Sequence, residues 1–417
     1  MQKYKVWKET FFLSLAGVFT GIMIGEIGLR VAKIEGVQKM PDYVDSAPTD
    51  FHTADPDFGW WHKPGASGWW TQEGKAFIQM NSAGLRDREH SKEKPKDTFR
   101  IAVLGDSFTE AMQVPVEKTF WAEIEPKLAQ CKALQGKKVE AINFGVHGYG
   151  TAQELIVLQK KVWDYSPDLV LLGFFNGNDI INNSPKLEYD PYRPFFVYKD
   201  GALVGDMSFR QLSPVERNQY AVSWVDRLPG WLVNHSRILQ LLKKIDLNMK
   251  KEKLSQDFTR LSVLNFKEPT DKNWQEAWQV TEGLLELMNQ EVKQKKVPFF
   301  VFTIGDAMSV LPDPKTRQNF TQTNKIQDLF YPDKRVKSVG DRAGFPVLNL
   351  SQTFQQYAEQ KKVCLHGFDN AILCQGHWNI EGHRLAGEII SQNLCQFLSN
   401  TSVSPQSTPE KQNKNKK

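Results

Sequence analysis

From Phe99 onward the chain alternates between short unbroken apolar runs and longer stretches in which apolar residues recur every three or four positions. FRIAVLGDS, VEAINFGVHGYG, DLVLLGFFNGND, PFFVFTIGD and FPVLNL are five such runs, each of strand length and rich in Val, Ile, Leu and Phe. A run with no polar alternation belongs to a strand buried on both faces, as in a parallel sheet. Between the runs the helical period appears over Thr119 to Leu134, Ala152 to Tyr165, Trp274 to Lys295, Thr353 to Lys361 and Glu381 to Leu398. The alternation predicts an α/β fold, a three-layer α/β/α sandwich around a mainly parallel five-stranded sheet.

Other segments break this rhythm. Residues 182–270, rich in Pro, Tyr, Arg and Lys, exceed any ordinary connection and are expected to form an insertion, a lid over the carboxyl ends of the strands. Residues 51–90 are rich in Trp, Gly and Asp, with the short alternating run KAFIQMNS, and predict loops and a small hairpin within an N-terminal arm, 35–98. The repeated GWW suits either packing of this arm onto the core or stacking against a sugar. The main domain is expected over 99–400, and the polar, Lys- and Asn-rich 401–417 is expected to be a disordered tail.

At the other end, Thr10 to Gly25 is uncharged, follows Lys3, Lys5 and Lys8, and is extended by Ile27, Gly28 and Leu29 beyond Glu26. A spanning helix needs roughly 20 mostly apolar residues, so residues 1–34 predict a single-pass signal anchor only if Glu26 sits near an interface or against a partner. A cleaved signal peptide and a buried helix are the alternatives. The preceding lysines place the N-terminus in the cytoplasm and the body outside it, periplasmic or at the cell surface. Net charge is +5, but the first 33 and the last 14 residues carry +3 each, leaving a nearly neutral body and no support for a nucleic-acid face. The four cysteines, Cys131, Cys364, Cys374 and Cys395, suit an exported chain with disulfides or four small buried residues; Cys364 with Cys374 is the pair to test first.

Polar clusters fall where predicted strands end: Gly105-Asp106-Ser107, Asn143-Phe144-Gly145, and Asn176-Gly177-Asn178-Asp179, with Gly376-His377-Trp378-Asn379 ahead of the last helix. Loops at the carboxyl edge of a parallel sheet converge, so these clusters can share one cleft. A serine at a sharp strand-to-helix turn, a histidine to take its proton, and N–H donors for the developing oxyanion are the parts that acyl transfer requires. No G-x-S-x-G occurs, and Gly145, Gly148 and Gly150 run in the reverse of the dinucleotide order. Cys364, His366, Cys374, His377 and His383 match no zinc spacing, so neither a metal nor a cofactor is expected.

With GDSFTE, NFGVHGYGT, GNDI and GHWNIEGH in this order, the chain resembles the SGNH, or GDSL, hydrolase superfamily over about residues 80–398. The resemblance implies Ser107 as nucleophile, His377 as base, and the Ser107 N–H, Gly145 N–H and Asn178 side chain as oxyanion hole. The membrane-anchored organisation is similar to exported bacterial members. The aspartate such proteins carry two or three residues before the histidine is absent: Cys374 and Gln375 stand there. A Ser–His dyad is expected, with Asp369 or Gln375 as the possible third member and an inactive homologue as alternatives. The function expected is a serine esterase acting on an ester or an acylated carbohydrate at the cell surface. An O-acyltransferase using the same acyl-enzyme, working beside a membrane acyltransferase partner, and a non-catalytic binding module remain alternatives.

Overall fold

A computed structural model describes residues 2–32, 51–212 and 223–402 of the 417-residue chain. Residues 33–34 of the expected anchor, 35–50 of the expected arm, 213–222 of the expected lid and the tail beyond 402 lie outside the described residues. The chain divides into two compact units, 1–46 with 212–260 and 47–211 with 261–417.

In the first unit, α1 (Gln2–Val31) is a continuous helix whose segment Thr10–Val31 has a mean hydropathy of 1.8, long and apolar enough to cross a membrane. Glu26 is not left alone on it. Its carboxylate accepts from the Arg237 and Ile238 backbone N–H groups at 2.7 and 3.1 Å, and Arg30 donates to it at 3.0 Å. These backbone donors belong to the first turn of the helix Arg237–Asn265, where N–H groups have no partners in their own helix. The acidic residue that the sequence required to find a partner thus caps the long helix of the 182–270 insertion.

In the second unit, two small antiparallel hairpins come first: β1 (His52–Asp55) with β2 (Gly59–His62), and β3 (Ser67–Trp70) with β4 (Ala76–Gln79). Next come β5 (Thr98–Gly105), the one-turn helix α2 (Ser107–Glu110), α3 (Phe120–Leu128), β6 (Lys138–Asn143), α4 (Thr151–Lys160), β7 (Leu169–Phe175) and the short α5 (Asp179–Asn182). The insertion contributes the hairpin β8 (Phe195–Lys199) and β9 (Ala202–Asp206). β10 (Phe299–Ile304) and β11 (Val347–Asn349) complete the central sheet, whose order is β11-β10-β7-β5-β6, every pair parallel.

The apolar runs divide by alternate residues between two cores, as strands buried on both faces must. Ala102, Leu104, Ile142, Val170, Leu172 and Val301 face the helices Thr151–Lys160 and Lys272–Gln294. Ile101, Val103, Ala141, Leu169, Leu171 and Phe302 face α3 and the last helix, Ile380–Ser402. The expected Thr119 to Leu134 helix is shorter, ending at Leu128 after Pro126. Helices Pro314–Asn324 and Tyr331–Ala343, unpredicted, fill the connection from β10 to β11. Both disulfides form, Cys364 with Cys374 and Cys131 with Cys395.

Candidate active site

β5 ends at Gly105, and the chain turns at once into α2, a helix of four residues that starts with Ser107. Asp106 caps it, its carboxylate accepting from the Phe108 N–H at 2.9 Å. Ser107 is thereby the first residue of a helix, with a backbone N–H that has no acceptor inside that helix. Thr109 sits where a side chain at Gly105 would be: a Cβ there would fall 2.2 Å from the Thr109 hydroxyl.

His377 comes from the loop ahead of the last helix. That loop is closed by Cys364–Cys374 and cross-linked by His366, whose Nδ1 donates to the Gly376 carbonyl at 2.7 Å. The Gly367 N–H donates to the His377 carbonyl at 2.9 Å, and the Phe108 ring packs against the imidazole with centroids 4.9 Å apart. The result is a short contact across 270 residues of sequence: His377 Nε2 lies 2.8 Å from Ser107 Oγ.

The other ring nitrogen meets a residue that the sequence did not single out. Glu73, in the turn joining β3 to β4, places Oε2 2.6 Å from His377 Nδ1 and Oε1 2.7 Å from the His377 backbone N–H. One carboxylate thus fixes both the ring and its own backbone, and a carboxylate accepts only, so Nδ1 carries the hydrogen and Nε2 presents its lone pair to the serine. Burial pushes the Glu73 carboxyl up, but the hydrogen bonds from the His377 ring and backbone outweigh it and hold Glu73 below the usual carboxylate range. Asp369 and Gln375, the sequence candidates for this place, are both exposed, and neither is the partner of Nδ1. Residues 369–373 and 375 of the disulfide-closed loop are exposed, yet Asn370 reaches the turn that carries Glu73. Its amide clasps the Glu73 turn, accepting from the Gly74 N–H at 2.9 Å and donating to the Thr71 and Gly74 carbonyls at 3.0 and 2.8 Å.

The candidate oxyanion donors converge unequally. Asn178, at the start of α5, has its side chain hydrogen-bonded to Asp106, the neighbour of Ser107 in the chain. Gly145 approaches α2 so closely that a Cβ would fall 2.6 Å from Thr109 and 2.7 Å from the Glu110 nitrogen. Its N–H, however, donates to Asn143 Oδ1 at 2.9 Å. Three buried acids, Asp106, Glu154 and Asp179, interact with one another at this end of the sheet. Burial pushes Asp106 up to about 6, and drives Glu154 and Asp179 well above the usual range, with the neighbouring carboxyls adding to the effect. The residues weighed as a zinc set are otherwise engaged: the two thiols are paired, and His383 is buried at the start of the last helix, where burial lowers it to about 3.

The sheet order places the fifth strand beside the fourth, third, first and second, the flavodoxin-like doubly wound arrangement, with Ser107 beyond the carboxyl end of its first strand. The fold is thus an α/β sandwich around an all-parallel five-stranded sheet, as the sequence predicted. No family model matches the chain, and no curated protein matches it. Solved structures do align with it. An acetyl xylan esterase matches with a TM-score of 0.36 and 11% identity over 70% of this chain and 99% of its own. An acetylxylan esterase from Geobacillus stearothermophilus gives 0.37 and 10% over 74% and 96%. A lipase/acylhydrolase from Enterococcus faecalis gives 0.34 and 17% over 72% and 96%.

Proposed function

We propose that this protein is a serine esterase that works through a Ser107–His377–Glu73 triad. The observation that carries the reading is the unbroken line of contacts, 2.8 Å from hydroxyl to imidazole and 2.6 Å from imidazole to carboxylate. In the reaction, Ser107 Oγ attacks the ester carbonyl while His377 Nε2 takes the hydroxyl proton. Glu73 holds the tautomer and balances the imidazolium that forms. The proton then passes to the departing alcohol, leaving an acyl-serine. Water, activated by the same imidazole, attacks the acyl carbon, and Ser107 leaves with its proton restored. The Ser107 N–H and the Asn178 amide are the donors offered to the oxyanion, each worth about 3 kcal/mol. Gly145 N–H joins them by giving up its bond to Asn143.

The substrate class is an acylated carbohydrate outside the cytoplasm. Trp69 and Phe77 are cross-strand partners on the hairpin whose turn carries Glu73, and both are half exposed. The two rings meet edge to face with centroids 5.6 Å apart, and an exposed aromatic face on the Glu73 hairpin suits a sugar ring. The apolar α1 supports a membrane tether.

Hydrolysis of p-nitrophenyl acetate by the purified full chain tests the assignment. Ser107→Ala is expected to lower kcat by about 10³-fold or more, and Glu73→Gln by about 10²- to 10⁴-fold. Undiminished activity in Ser107→Ala would reject the nucleophile; undiminished activity in Glu73→Gln would reject the third member alone.

A further inference from the structure

Away from the three reacting side chains, a second polar constellation is built on the far end of the nucleophile helix. His52 and His62 are direct cross-strand partners in the β1–β2 hairpin, so their side chains project side by side from one face, with ring centroids 5.0 Å apart. Both aim Nε2 at the same oxygen of Glu110, the last residue of α2: His62 at 2.6 Å and His52 at 3.0 Å. Glu110 and His62 are almost wholly buried, whereas the His52 side chain is 25% exposed.

The hydrogen count at His62 does not close with a neutral ring and a carboxylate. Its Nδ1 lies 3.0 Å from the Gly84 carbonyl, an obligate acceptor, so the ring hydrogen sits on Nδ1. Nε2 then presents a lone pair to a carboxylate oxygen that also offers only lone pairs. A 2.6 Å approach between them requires a positive centre between the two atoms. Two imidazole nitrogens and a carboxylate oxygen, all within 4.8 Å of one another, are the donor set of a divalent transition metal, above all zinc. The Nδ1–H bond to a backbone carbonyl is the outer contact that metal-bound histidines use to fix their tautomer. A tetrahedral zinc holds such ligand atoms roughly 3.4 Å apart, so the rings need retreat by less than about 1 Å to admit it. The partly exposed His52 side supplies the way in from solvent.

We propose that His52, His62 and Glu110 form a zinc site that staples the β1–β2 hairpin to the helix carrying Ser107. Its role is structural, since proton transfer and nucleophilic attack are already provided for at the other end of α2. The ion ties the N-terminal arm, which also supplies Glu73, to the element that supplies the serine.

The test uses tag-free, full-length protein in detergent, stripped with a chelator, dialysed, and titrated with ZnCl2 by calorimetry and by thermal unfolding. One zinc per chain with micromolar or tighter affinity is expected, together with a rise of several degrees in the unfolding midpoint. His52→Ala should weaken binding at least tenfold and Glu110→Gln should abolish it, whereas Ser107→Ala should bind as the parent does. If Glu110→Gln does not fold, the partly exposed His52→Ala decides alone. No saturable binding by the parent, as for a simple imidazolium–carboxylate pair, overturns the proposal. Binding that His52→Ala leaves unchanged overturns it as well.

Discussion

At the scale of single residues, the arrangement of the triad depends on a position with no side chain. Gly376 has φ +72, and a Cβ built there would fall 2.0 Å from Glu73 Oε1. Gly376→Ala therefore combines left-handed backbone strain of about 1–2 kcal/mol with eviction of the carboxylate. Its kcat on p-nitrophenyl acetate is expected to fall to the level of Glu73→Gln, with the circular dichroism spectrum of the parent. A variant that kept full turnover would mean that the Glu73 contact is dispensable. Asp106 makes a different prediction, about pH. Its carboxyl is pushed up to about 6 in the folded chain by burial, so between about pH 4 and 6 the folded state binds more protons than the unfolded one. Stability from this group is then greatest in acid and is lost as pH rises through that window. Asn at 106 retains an acceptor for the Phe108 N–H and removes the charged form. Asp106→Asn is therefore expected to gain roughly 1–3 kcal/mol more in thermal unfolding at pH 7.5 than at pH 4.5. An equal change at both pH values would contradict it.

At the scale of elements, two loops far apart in sequence act as one. The turn between β3 and β4 supplies Glu73, the disulfide-closed loop supplies His377, and Asn370 fastens the first to the second. Asn370→Ala leaves every reacting group in place but frees the turn. Its expected signature is a drop in kcat of about tenfold with KM little changed, measured by steady-state kinetics. The same pairing explains what could be read from the chain beforehand. Ser107 and His377 stand in motifs at strand and helix ends, so topology alone brings them together. Glu73 lies in an ordinary Glu-Gly turn, 304 residues from its partner, and no local spacing links the two. The only available signal was negative, the absence of an acid just before His377. Among the elements, the five strands were legible because each is a continuous apolar run. Pro314–Asn324 was not, because Phe320 is its one large apolar residue and Arg317 its only buried one. In Tyr331–Ala343 the buried aliphatics are Val336 and Val339, too few to set a helical period.

At the scale of the whole molecule, charge and hydropathy separate the chain into an apolar leading helix and a nearly neutral body. If α1 anchors the chain, the full-length protein should stay in the membrane pellet after an alkaline carbonate wash, and a variant lacking residues 2–32 should appear in the supernatant. Release of the intact chain by carbonate alone would exclude an integral anchor. Glu26 at the cap of Arg237–Asn265 shows why such an anchor is more than a hydrophobic peg, since this half-buried acid organises a helix of the insertion.

The order in which the triad appears along the chain has its own consequence. The acid is synthesised first, the serine next and the base near the end, inside a loop that must also acquire a disulfide. A chain cut short before residue 377 holds Ser107 and Glu73 without the imidazole that joins them. If the proposed triad acts, turnover therefore waits on the last loop of the chain.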